Sequence, residues 1–563
     1  MKFNPVTTGT VCIIFCSFLW GCTKTVVTKK PPVTDTSGPF SLVKATINDS
    51  SANNFTFYNV STSPTLEFFF SAPIDTGTVK SNTALTTGGT VIPVLYSYAN
   101  HDSALIVRPA SALHALTLYT FAILTNVKSV ADSGLTSMVR LNFNTQIDSS
   151  DKFPQISDSA LLTLVEQQTF NYFWTFGHPV SGMARERTSS GNTVTTGGSG
   201  FGIMSMLVGV QRNFITRGQA LGRIDTIVSF LANKAMRFHG AFSHWIDGST
   251  GATIPFGTQD DGGDIVETSY MMQGLLCARQ FFNSTTDSNE INLRNTINSL
   301  YDSVQWNWYR QNGANVLTWN WSPDYGFAIN VQVQGWDEAL ITYVMGASSN
   351  VDSNVIPKIV YDNGWARNGA MKNGNAYFGV TLPLGPPYGG PLFFAHYSFL
   401  GINPVNLSDA YANYWTQDTA HARINYLYCV SNPQHYVGYS SSCWGLTASD
   451  IQNGYDASSP TEDNGVIAPT AAISSLPYTP TESMNALRFF YYKLGDKIWG
   501  QYGFIDAFNL TNIWFDSDCL AIDQGPQIVM IENYRSGLLW NLFMSCPEIK
   551  RGMTNLGFSS PNL

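Results

Sequence analysis

The stretch DDGGDIVETSYMMQGLL, residues 260–276, joins an acidic, glycine-rich loop to a run of apolar residues at helical spacing. The pattern predicts a helix that begins near Glu267 or Thr268. Asp261 and Asp264 suit the positive end of a helix dipole. Glu267 lies between Val266 and the apolar face of the predicted helix. The helix dipole therefore explains the presence of a carboxylate at this position less well. We therefore predict that Glu267 is a catalytic acid held by rigid backbone.

The same alternation of helix and long loop repeats along the last 400 residues. Helical periodicity occurs at 159–173, 223–237, 268–282, 292–309, 337–347, 407–428, 482–497 and 527–549. The loops between are rich in Gly, Asp and Trp, and no strands alternate with the helices. This organisation predicts an α/α toroid whose loops build a cleft at one end. The glycine-rich run 197–202 lacks a preceding strand and a P-loop Lys, so we interpret it as a tight loop before a helix.

Residues 40–150 have a different pattern. Short β-prone runs occur at 41–45, 65–70, 104–107, 117–121 and 139–143, and turn residues separate them. This spacing predicts a small all-β sandwich that resembles bacterial immunoglobulin-like modules. It contains no cluster of carboxylates, which favours a spacer over a catalytic domain.

The first 39 residues indicate export. An apolar run at 11–20 follows Lys2 and is shorter than the ~20 residues of a membrane-spanning helix. It ends in Leu-Trp-Gly-Cys at 19–22, which resembles a bacterial lipobox, although Trp20 departs from the usual small residue. We expect a signal peptide at 1–21, lipidation of Cys22 and a flexible tether at 22–39. The protein would then be anchored in a Gram-negative envelope; the alternative is an ordinary cleaved signal.

Five cysteines follow Cys22, and export permits disulfides. Cys429 and Cys443 are close enough in sequence to allow a bridge across a Ser-rich loop. The odd count leaves at least one free thiol. Neither a CxxC motif nor Cys/His metal spacing occurs, so we expect no metal and no cofactor.

Composition narrows the class of ligand. Charged residues make up only 12% of the chain and the net charge is −9, which argues against nucleic acid as a partner. Aromatic residues make up 13%, and aromatic faces stack on the C–H faces of sugar rings. These features favour a neutral polysaccharide.

A second acidic segment runs from Cys443 to Gly465 and holds Trp, Tyr and several acids. A long loop of this kind in a compact domain is usually functional. Because glycoside hydrolysis requires two carboxylates, Asp463 or Asp450 is a candidate base opposite Glu267. Turn formation is the alternative for each. Glu186 is a third candidate, and its neighbour Arg187 makes either a local ion pair or substrate contacts.

Other polar and aromatic residues in the loops are candidates for substrate binding. The full predicted set is Arg187, Trp245, Asp264, Trp336, Glu338, Tyr397, Trp444, Tyr455, Glu532, Tyr534 and Arg535. Within it, Trp336 is a candidate stacking platform, and Glu338 either caps a helix or holds a sugar hydroxyl. Glu532 and Arg535, three apart on a helix, favour a structural pair with each other.

Six ordered segments carry a family resemblance. They are GGDIVETSYMMQGLL (262–276), QGWDEALITYVMGASS (334–349), GGPLFFAHYSFLGI (389–402), CWGLTASD (443–450), YGFIDAFN (502–509) and IDQGPQIVMIENYRSGLLW (522–540). These resemble the glucoamylase-like family, which includes the β-1,2-glucanases of glycoside hydrolase family 144. The resemblance implies an (α/α)6 toroid over 155–563, and so a mainly α protein preceded by the β-sandwich.

The resemblance also implies an enzyme that hydrolyses β-1,2-glucan or its oligosaccharides, with inversion and without a metal. It places the general acid at Glu267 and leaves the base open among Asp463, Asp450 and Glu186. The family's early loop often carries an Asp where this chain reads Ala-Arg-Glu at 184–186. Some members cut internally and others release sophorose from a chain end.

The sequence is also compatible with other functions. The enzyme could act on another β-glucan or on cyclic β-1,2-glucan. A catalytically inactive, glycan-binding surface lipoprotein is the alternative of another class, but the three candidate acids argue against it. A lyase would need basic residues for uronates, and this acidic chain has few. We expect a monomer.

Overall fold

The computed structural model describes residues 38–563. The predicted signal peptide, the lipidation site Cys22 and nearly all of the predicted tether lie outside the described residues. Among the helices of the described part, none is long and apolar enough to cross a membrane.

Nine strands form the N-terminal domain: β1 Leu42–Ile47, β2 Thr56–Val60, β3 Leu66–Phe70, β4 Thr83–Thr87, β5 Thr90–Ile92, β6 Val94–Ala99, β7 Ala104–Pro109, β8 Leu118–Ile123 and β9 Val139–Thr145. One sheet has the order β1-β3-β7-β6 and the other β2-β9-β8-β4-β5. Their inner faces meet in an apolar core, where the Phe68 and Phe121 rings stack 5.1 Å apart. The predicted immunoglobulin-like sandwich is confirmed, with additional strands at β2 and β4 to β6.

The rest of the described chain is mainly helical. Its helices are α1 Asp158–Trp174, α2 Thr196–Gln211, α3 Arg217–Asn233, α4 Ile265–Phe281, α5 Ser288–Asp302, α6 Leu340–Ala347, α7 Lys358–Val360, α8 Tyr414–Ser431, α9 Pro469–Ser474, α10 Pro480–Ile498, α11 Ala521–Ser536, α12 Leu538–Met544 and α13 Pro547–Leu556. A π-helical turn, Tyr361–Trp365, continues α7.

These helices alternate between an outer and an inner ring. The inner helices α2, α4, α6, α9 and α11 are buried over nearly their whole length. The outer helices α1, α3, α5, α8 and α10 bury only one side, as surface helices do. In the remaining pair the short α7 takes the outer place, and the 3-10 turns Leu392–Ala395 and Ser398–Leu400 take the inner place before α8. Because α11 packs on α2, the six outer–inner pairs close into the predicted toroid.

The glycine-rich run 197–202 lies inside α2, so its interpretation as a loop was wrong. A Cβ on Gly200 would lie 2.2 Å from the Tyr270 carbonyl oxygen, and one on Gly274 would lie 2.1 Å from the Gly200 carbonyl oxygen. Glycine therefore lets α2 and α4 approach backbone to backbone. This packing outweighs the low helix propensity of glycine.

All five described cysteines are buried free thiols, so Cys429 and Cys443 do not form the bridge that their spacing allowed. Both side chains pack within the helical core. Burial raises the pKa of both thiols, which keeps them protonated and neutral.

Candidate active site

A cleft opens where the N-terminal ends of α2, α4, α6 and α11 converge. Its central cavity has a volume of ≈ 380 Å³ and is lined by Glu186, Arg187, Thr195, His244, Trp245, Phe256, Glu267, Tyr270, Trp319, Glu338, Phe393, Tyr397, Ala448, Tyr455, Ala457, Leu520 and Ile522. Short strands border it, at Thr193–Thr195, Trp245–Asp247, Gly263–Asp264, Asn320–Trp321, Ala448–Ile451 and Gly454–Ala457. The loops at one end of the toroid thus build the cleft.

Glu267 lies in the first turn of α4 with only 5% of its surface exposed. Its Oε2 accepts a hydrogen bond from the Gly197 backbone N–H at 2.6 Å, and the Thr195 hydroxyl lies 3.4 Å away. Burial raises the pKa of Glu267, and nearby Asp264 raises it further, while His244 and these hydrogen bonds oppose the shift. A buried carboxyl that retains its proton can act as a general acid.

Asp264 caps α4 and does not line the cleft. Its Oδ1 accepts hydrogen bonds from the backbone N–H groups of Val266 and Glu267, both at 2.9 Å. Its Oδ2 lies 3.0 Å from His244 Nδ1 and accepts from Trp319 Nε1 at 3.2 Å. Asp264, predicted to bind substrate, is instead a buried residue that positions Glu267, His244 and Trp319.

His244 presents a positive charge to the cleft. Burial alone would lower its pKa, but an ionised Glu267, together with Asp264 and Asp260, raises the pKa to about 9. While Glu267 holds its proton, Asp264 and Asp260 supply the attraction that favours the charged imidazole. From the sequence alone, a structural role is the expectation for the two histidines of this segment, His239 and His244. The acidic loop at 260–264 was the sequence feature that could have predicted a charged His244, because nearby carboxylates stabilise a positive charge.

Arg187 connects two of the candidate bases. Its Nε donates to Glu186 Oε2 at 2.9 Å, and its Nη1 donates to Asp450 Oδ2 at 2.7 Å. Arg187 therefore forms ion pairs, which was one of its two predicted roles. These ion pairs link the loop that contains Glu186 to the Ala448–Ile451 strand. A neighbouring concavity, lined by Arg187, Asp450, Tyr455, Trp514 and others, extends the cleft on this side.

Three further carboxyl groups lie behind Asp450. The Asp450 backbone N–H donates to Asp506 Oδ2 at 2.7 Å. Burial raises the pKa of Asp506 well above its usual range, that of Asp523 to about 7 and that of Asp516 to about 6. The raised pKa values favour protonated carboxyl groups in this cluster, which lessens the repulsion among acids that lie so close together. The sequence did not single out these acids, although Asp506 and Asp523 lie within the quoted segments.

Aromatic rings form a large part of the cleft lining. The Phe256 ring, half exposed, lies 4.2 Å from the His244 ring and 4.8 Å from Trp245 between centroids. Tyr397 is nearly buried at the cleft floor, whereas Tyr455 is half exposed at its rim. These surfaces suit the apolar faces of sugar rings.

The structure thus brings one group of predicted residues together around the cavity. They are Glu186, Arg187, Trp245, Glu267, Glu338, Tyr397 and Tyr455, with Asp450 paired to Arg187 at the neighbouring concavity. Burial raises the pKa of Glu338 well above its usual range, so this side chain presents a neutral carboxyl group to the cavity.

Other predicted residues lie away from the cleft lining. Trp336 is buried, with its ring stacked on Phe399 and Tyr414, so it offers no platform to a ligand. Trp444 is fully buried and donates through Nε1 to the Glu482 carbonyl oxygen. Both tryptophans belong to the core, where a large apolar area favours burial as much as stacking on sugar would.

Asp463 stabilises the loop in which it lies. It accepts hydrogen bonds from the hydroxyl groups of Tyr439 and Tyr428 at 2.7 and 3.0 Å, and from the Gly465 backbone N–H at 2.9 Å. Its carboxylate oxygens are thereby occupied, and it does not line the cleft. This placement removes the reason for predicting Asp463 as the base.

The predicted α11 residues have structural surroundings. Glu532 is buried and pairs with Arg212 of α2, Nε to Oε2, at 2.6 Å. Arg535 pairs with Glu166 of α1, so Glu532 and Arg535 do not pair with each other as predicted. Tyr534 is half exposed and, like the other two, is absent from the cleft lining. Glu532 and Arg535 thus hold α1, α2 and α11 together.

Known proteins share this architecture. A family model described as "Putative glucoamylase" matches residues 330–547, and one described as "Bacterial Ig-like domain" matches residues 35–145. The structure of an endo-β-1,2-glucanase from Chitinophaga pinensis is 50% identical with a TM-score of 0.70, over 73% of this chain and 100% of that chain. A β-1,2-glucanase from Parabacteroides distasonis is 36% identical with a TM-score of 0.69, over 92% of this chain and 72% of that chain.

A curated relative gives the same affiliation. The exo β-1,2-glucooligosaccharide sophorohydrolase (non-reducing end) of Parabacteroides distasonis is 45% identical over 435 residues, which is 73% of this chain. The chain spans about 60% of the length of that relative. Fold and cleft together define a helical toroid with an acidic, aromatic-lined site at one end. The chain belongs to the glucoamylase-like family that includes glycoside hydrolase family 144, and an immunoglobulin-like domain precedes its toroid.

Proposed function

We propose that the protein is a glycoside hydrolase that cleaves β-1,2-glucan or its oligosaccharides. The observation that carries the proposal is the buried Glu267 carboxyl, with a raised pKa, at the wall of an aromatic-lined cavity. The solved and curated relatives, which are named as β-1,2-glucan hydrolases, support the substrate. Glycoside hydrolysis needs one carboxyl that donates a proton and a second carboxylate on the other face of the sugar.

Glu267 donates its proton to the leaving oxygen in this proposal. The base function belongs to Glu186 and Asp450, which are joined through Arg187. One of them activates a water molecule on the opposite face of the sugar, which gives inversion. Trp245, Tyr397 and Tyr455 hold sugar rings, and Glu338 donates a hydrogen bond from its neutral carboxyl group. No cofactor takes part in the proposed steps.

Substitution of Glu267 tests this assignment. Glu267→Gln keeps the shape of the side chain and removes the proton donor, so we expect hydrolysis to fall by about 10²- to 10⁴-fold while oligosaccharide binding persists. Glu462→Gln is the matched control, because Glu462 is exposed. Near-normal turnover in Glu267→Gln would contradict the role of Glu267.

A product panel separates the remaining functions. Linear β-1,2-glucan, cyclic β-1,2-glucan and other β-glucans are incubated with the full chain, and the products are separated by chromatography. Release of sophorose alone indicates attack from a chain end, whereas a ladder of oligosaccharides indicates internal cleavage. Binding without products from any glycan would favour the inactive glycan-binding protein.

We also propose that the protein is exported and lipid-anchored through Cys22, in a Gram-negative envelope. The lipobox-like Leu-Trp-Gly-Cys sequence at 19–22 supports this location. Cys22→Ala should abolish incorporation of labelled fatty acid and move the protein out of the membrane fraction; unchanged labelling would exclude Cys22. The cleft uses residues of one chain, so we propose a monomer, to be checked by light scattering.

A further inference from the structure

A second concave surface lies outside the cleft. It is a groove with a volume of ≈ 550 Å³, lined by Gln305, Asn307, Trp308, Asn312, Gly313, Ser353 and Asn354. We call it the outer groove. Trp308 lies on the 3-10 turn Trp306–Arg310, and 44% of its surface is exposed, whereas Trp306 and Tyr309 of the same turn are buried in the core. The turn thus presents one tryptophan to solvent and anchors itself with the other two aromatic residues.

A neighbouring ring holds the indole of Trp308 in one orientation. The His239 ring stacks on it at 3.7 Å between centroids with an interplanar angle of 17°. His239 Nδ1 lies 3.4 Å from the side-chain oxygen of Gln305, which fixes the histidine ring in turn. A rigid ring loses little conformational freedom when a ligand stacks on it, so Trp308 is preorganised as a platform.

The chemistry of the groove favours a neutral, hydroxyl-rich ligand. None of its seven lining residues is charged, and four of them carry an amide side chain. Asn307, Gln305 and Asn354 each use part of their amide group in a contact with Arg310, His239 and Asp302, respectively. Because an amide has two donor hydrogens and an oxygen with two lone pairs, each still has capacity for a sugar hydroxyl. Arg310, on the same turn, directs its guanidinium to Asn307 and to the Ala314 and Gly313 carbonyl oxygens. A phosphate or a uronate would therefore find no free cation among the residues that line the groove.

Aromatic contacts connect the outer groove to the cleft. Trp319 lines the cleft, and Trp321 follows it on the short strand Asn320–Trp321. The Trp321 and His239 rings make a T-shaped contact, with 4.8 Å between their centroids. The His239 ring in turn stacks on Trp308. Aromatic residues thus lie between the cleft lining at Trp319 and the outer groove at Trp308.

We propose that the outer groove is a second glycan-binding site, in which Trp308 stacks on a distal part of a long β-1,2-glucan chain. The inference rests on the proposed function for the linkage of the glycan, while the groove itself indicates a neutral glycan. Such a site strengthens binding of long chains through the linked contacts and leaves short oligosaccharides, held by the cleft alone, unaffected.

The test compares chain lengths in the full-length protein. We expect Trp308→Ala to raise the KM for polymeric β-1,2-glucan about three- to tenfold, which is the range that one aromatic stacking contact provides. The kcat and the KM for a trisaccharide-sized substrate should stay unchanged, and Trp308→Phe should recover part of the loss. Tyr58→Ala, which removes a comparably exposed aromatic ring outside both concave surfaces, is the control.

Gel retardation in β-1,2-glucan, with Glu267→Gln as the background, separates this proposal from the proposed function. Loss of retardation on Trp308→Ala supports the outer groove even where no hydrolysis is found. Equal retardation with and without Trp308, an equal KM for the polymer, or an equal loss on short and long substrates would each overturn it.

Discussion

The position of the Glu267 carboxyl depends on one glycine. A Cβ on Gly197 would lie 2.6 Å from Glu267 Oε2 and 2.8 Å from Tyr270 Cδ2, so no larger residue fits without moving the acid. We predict that Gly197→Ala displaces this carboxyl and lowers kcat at least tenfold, because a misplaced catalytic group loses much of its effect.

Steady-state kinetics on β-1,2-glucan checks this prediction. Gly218→Ala is the control, since a Cβ at Gly218 meets nothing within 4 Å. Thermal unfolding of both variants shows whether the fold is kept. Full activity in a folded Gly197→Ala variant would mean that the acid tolerates movement.

The charge on His244 is a second property set by its neighbours. We predict that Asp264→Asn lowers the pKa of His244 from about 9 toward the usual 6.5, because a carboxylate 3.0 Å from Nδ1 is lost. Asn is also a good N-cap residue, so α4 keeps its start. NMR titration of the His244 imidazole in the parent and in the variant measures the shift. An unchanged titration of His244 would assign its charge to other groups.

The raised pKa of His244 also affects stability. Its charged form is stabilised in the folded state, so the contribution is fully present below about pH 6.5 and is lost as the pH rises through about 9. We predict that the free energy of unfolding of the parent falls over this range by at most about 3 kcal/mol. Denaturant unfolding at several pH values measures this, and His244→Asn should flatten the dependence. An equal slope in both proteins would contradict the prediction.

Among the helices, the α2–α4 pair packs most closely. Gly274→Ala would place a methyl group 2.1 Å from the Gly200 carbonyl oxygen, so the two inner helices must separate. We predict a loss of about 1–3 kcal/mol in the free energy of unfolding, as in other overpacked cores. Gly222→Ala in α3 adds a methyl group that meets nothing within 4 Å, and should stabilise by up to about 1 kcal/mol. Equal melting temperatures for the two variants would contradict the packing argument.

The same helices show what the sequence could predict. Amphipathic outer helices such as α3 and α10 carry one apolar face, and periodicity located them. This contrast is weak in the inner helices because they are buried all round. Periodicity still located α4, α6 and α11, but it missed α9, and the first turns of α2 were interpreted as a loop. At the site, Glu267 stood out through its place between loop and helix. The sequence around Trp336 and Trp444 did not distinguish them from the aromatic residues that line the cleft. Whether an aromatic ring is buried in the core or exposed to a ligand depends on tertiary packing.

The two domains are joined by an ordered segment. Lys493 of α10 donates to the Ser149 carbonyl oxygen and pairs with Asp151, while the Lys152 backbone N–H donates to the Tyr492 carbonyl oxygen. Phe153 stacks on Tyr491 at 4.6 Å between centroids. A Cβ on Gly495 would lie 2.3 Å from the Phe153 ring, so this glycine provides the notch that the ring fills. These contacts fix the start of the toroid to the segment that leaves the β-sandwich.

We predict that Phe153→Ala frees the connection without unfolding either domain. Removing a packed aromatic ring costs about 3 kcal/mol or more when it is fully buried, and part of that cost applies to this partly buried ring. Hydrogen exchange of residues 149–157 should therefore rise at least tenfold, while α2 and α4 stay protected. Tyr58→Ala, which removes a half-exposed ring from β2, is the control. Unchanged exchange in this segment would mean that the hydrogen bonds of Lys152 and Lys493 hold it without the ring.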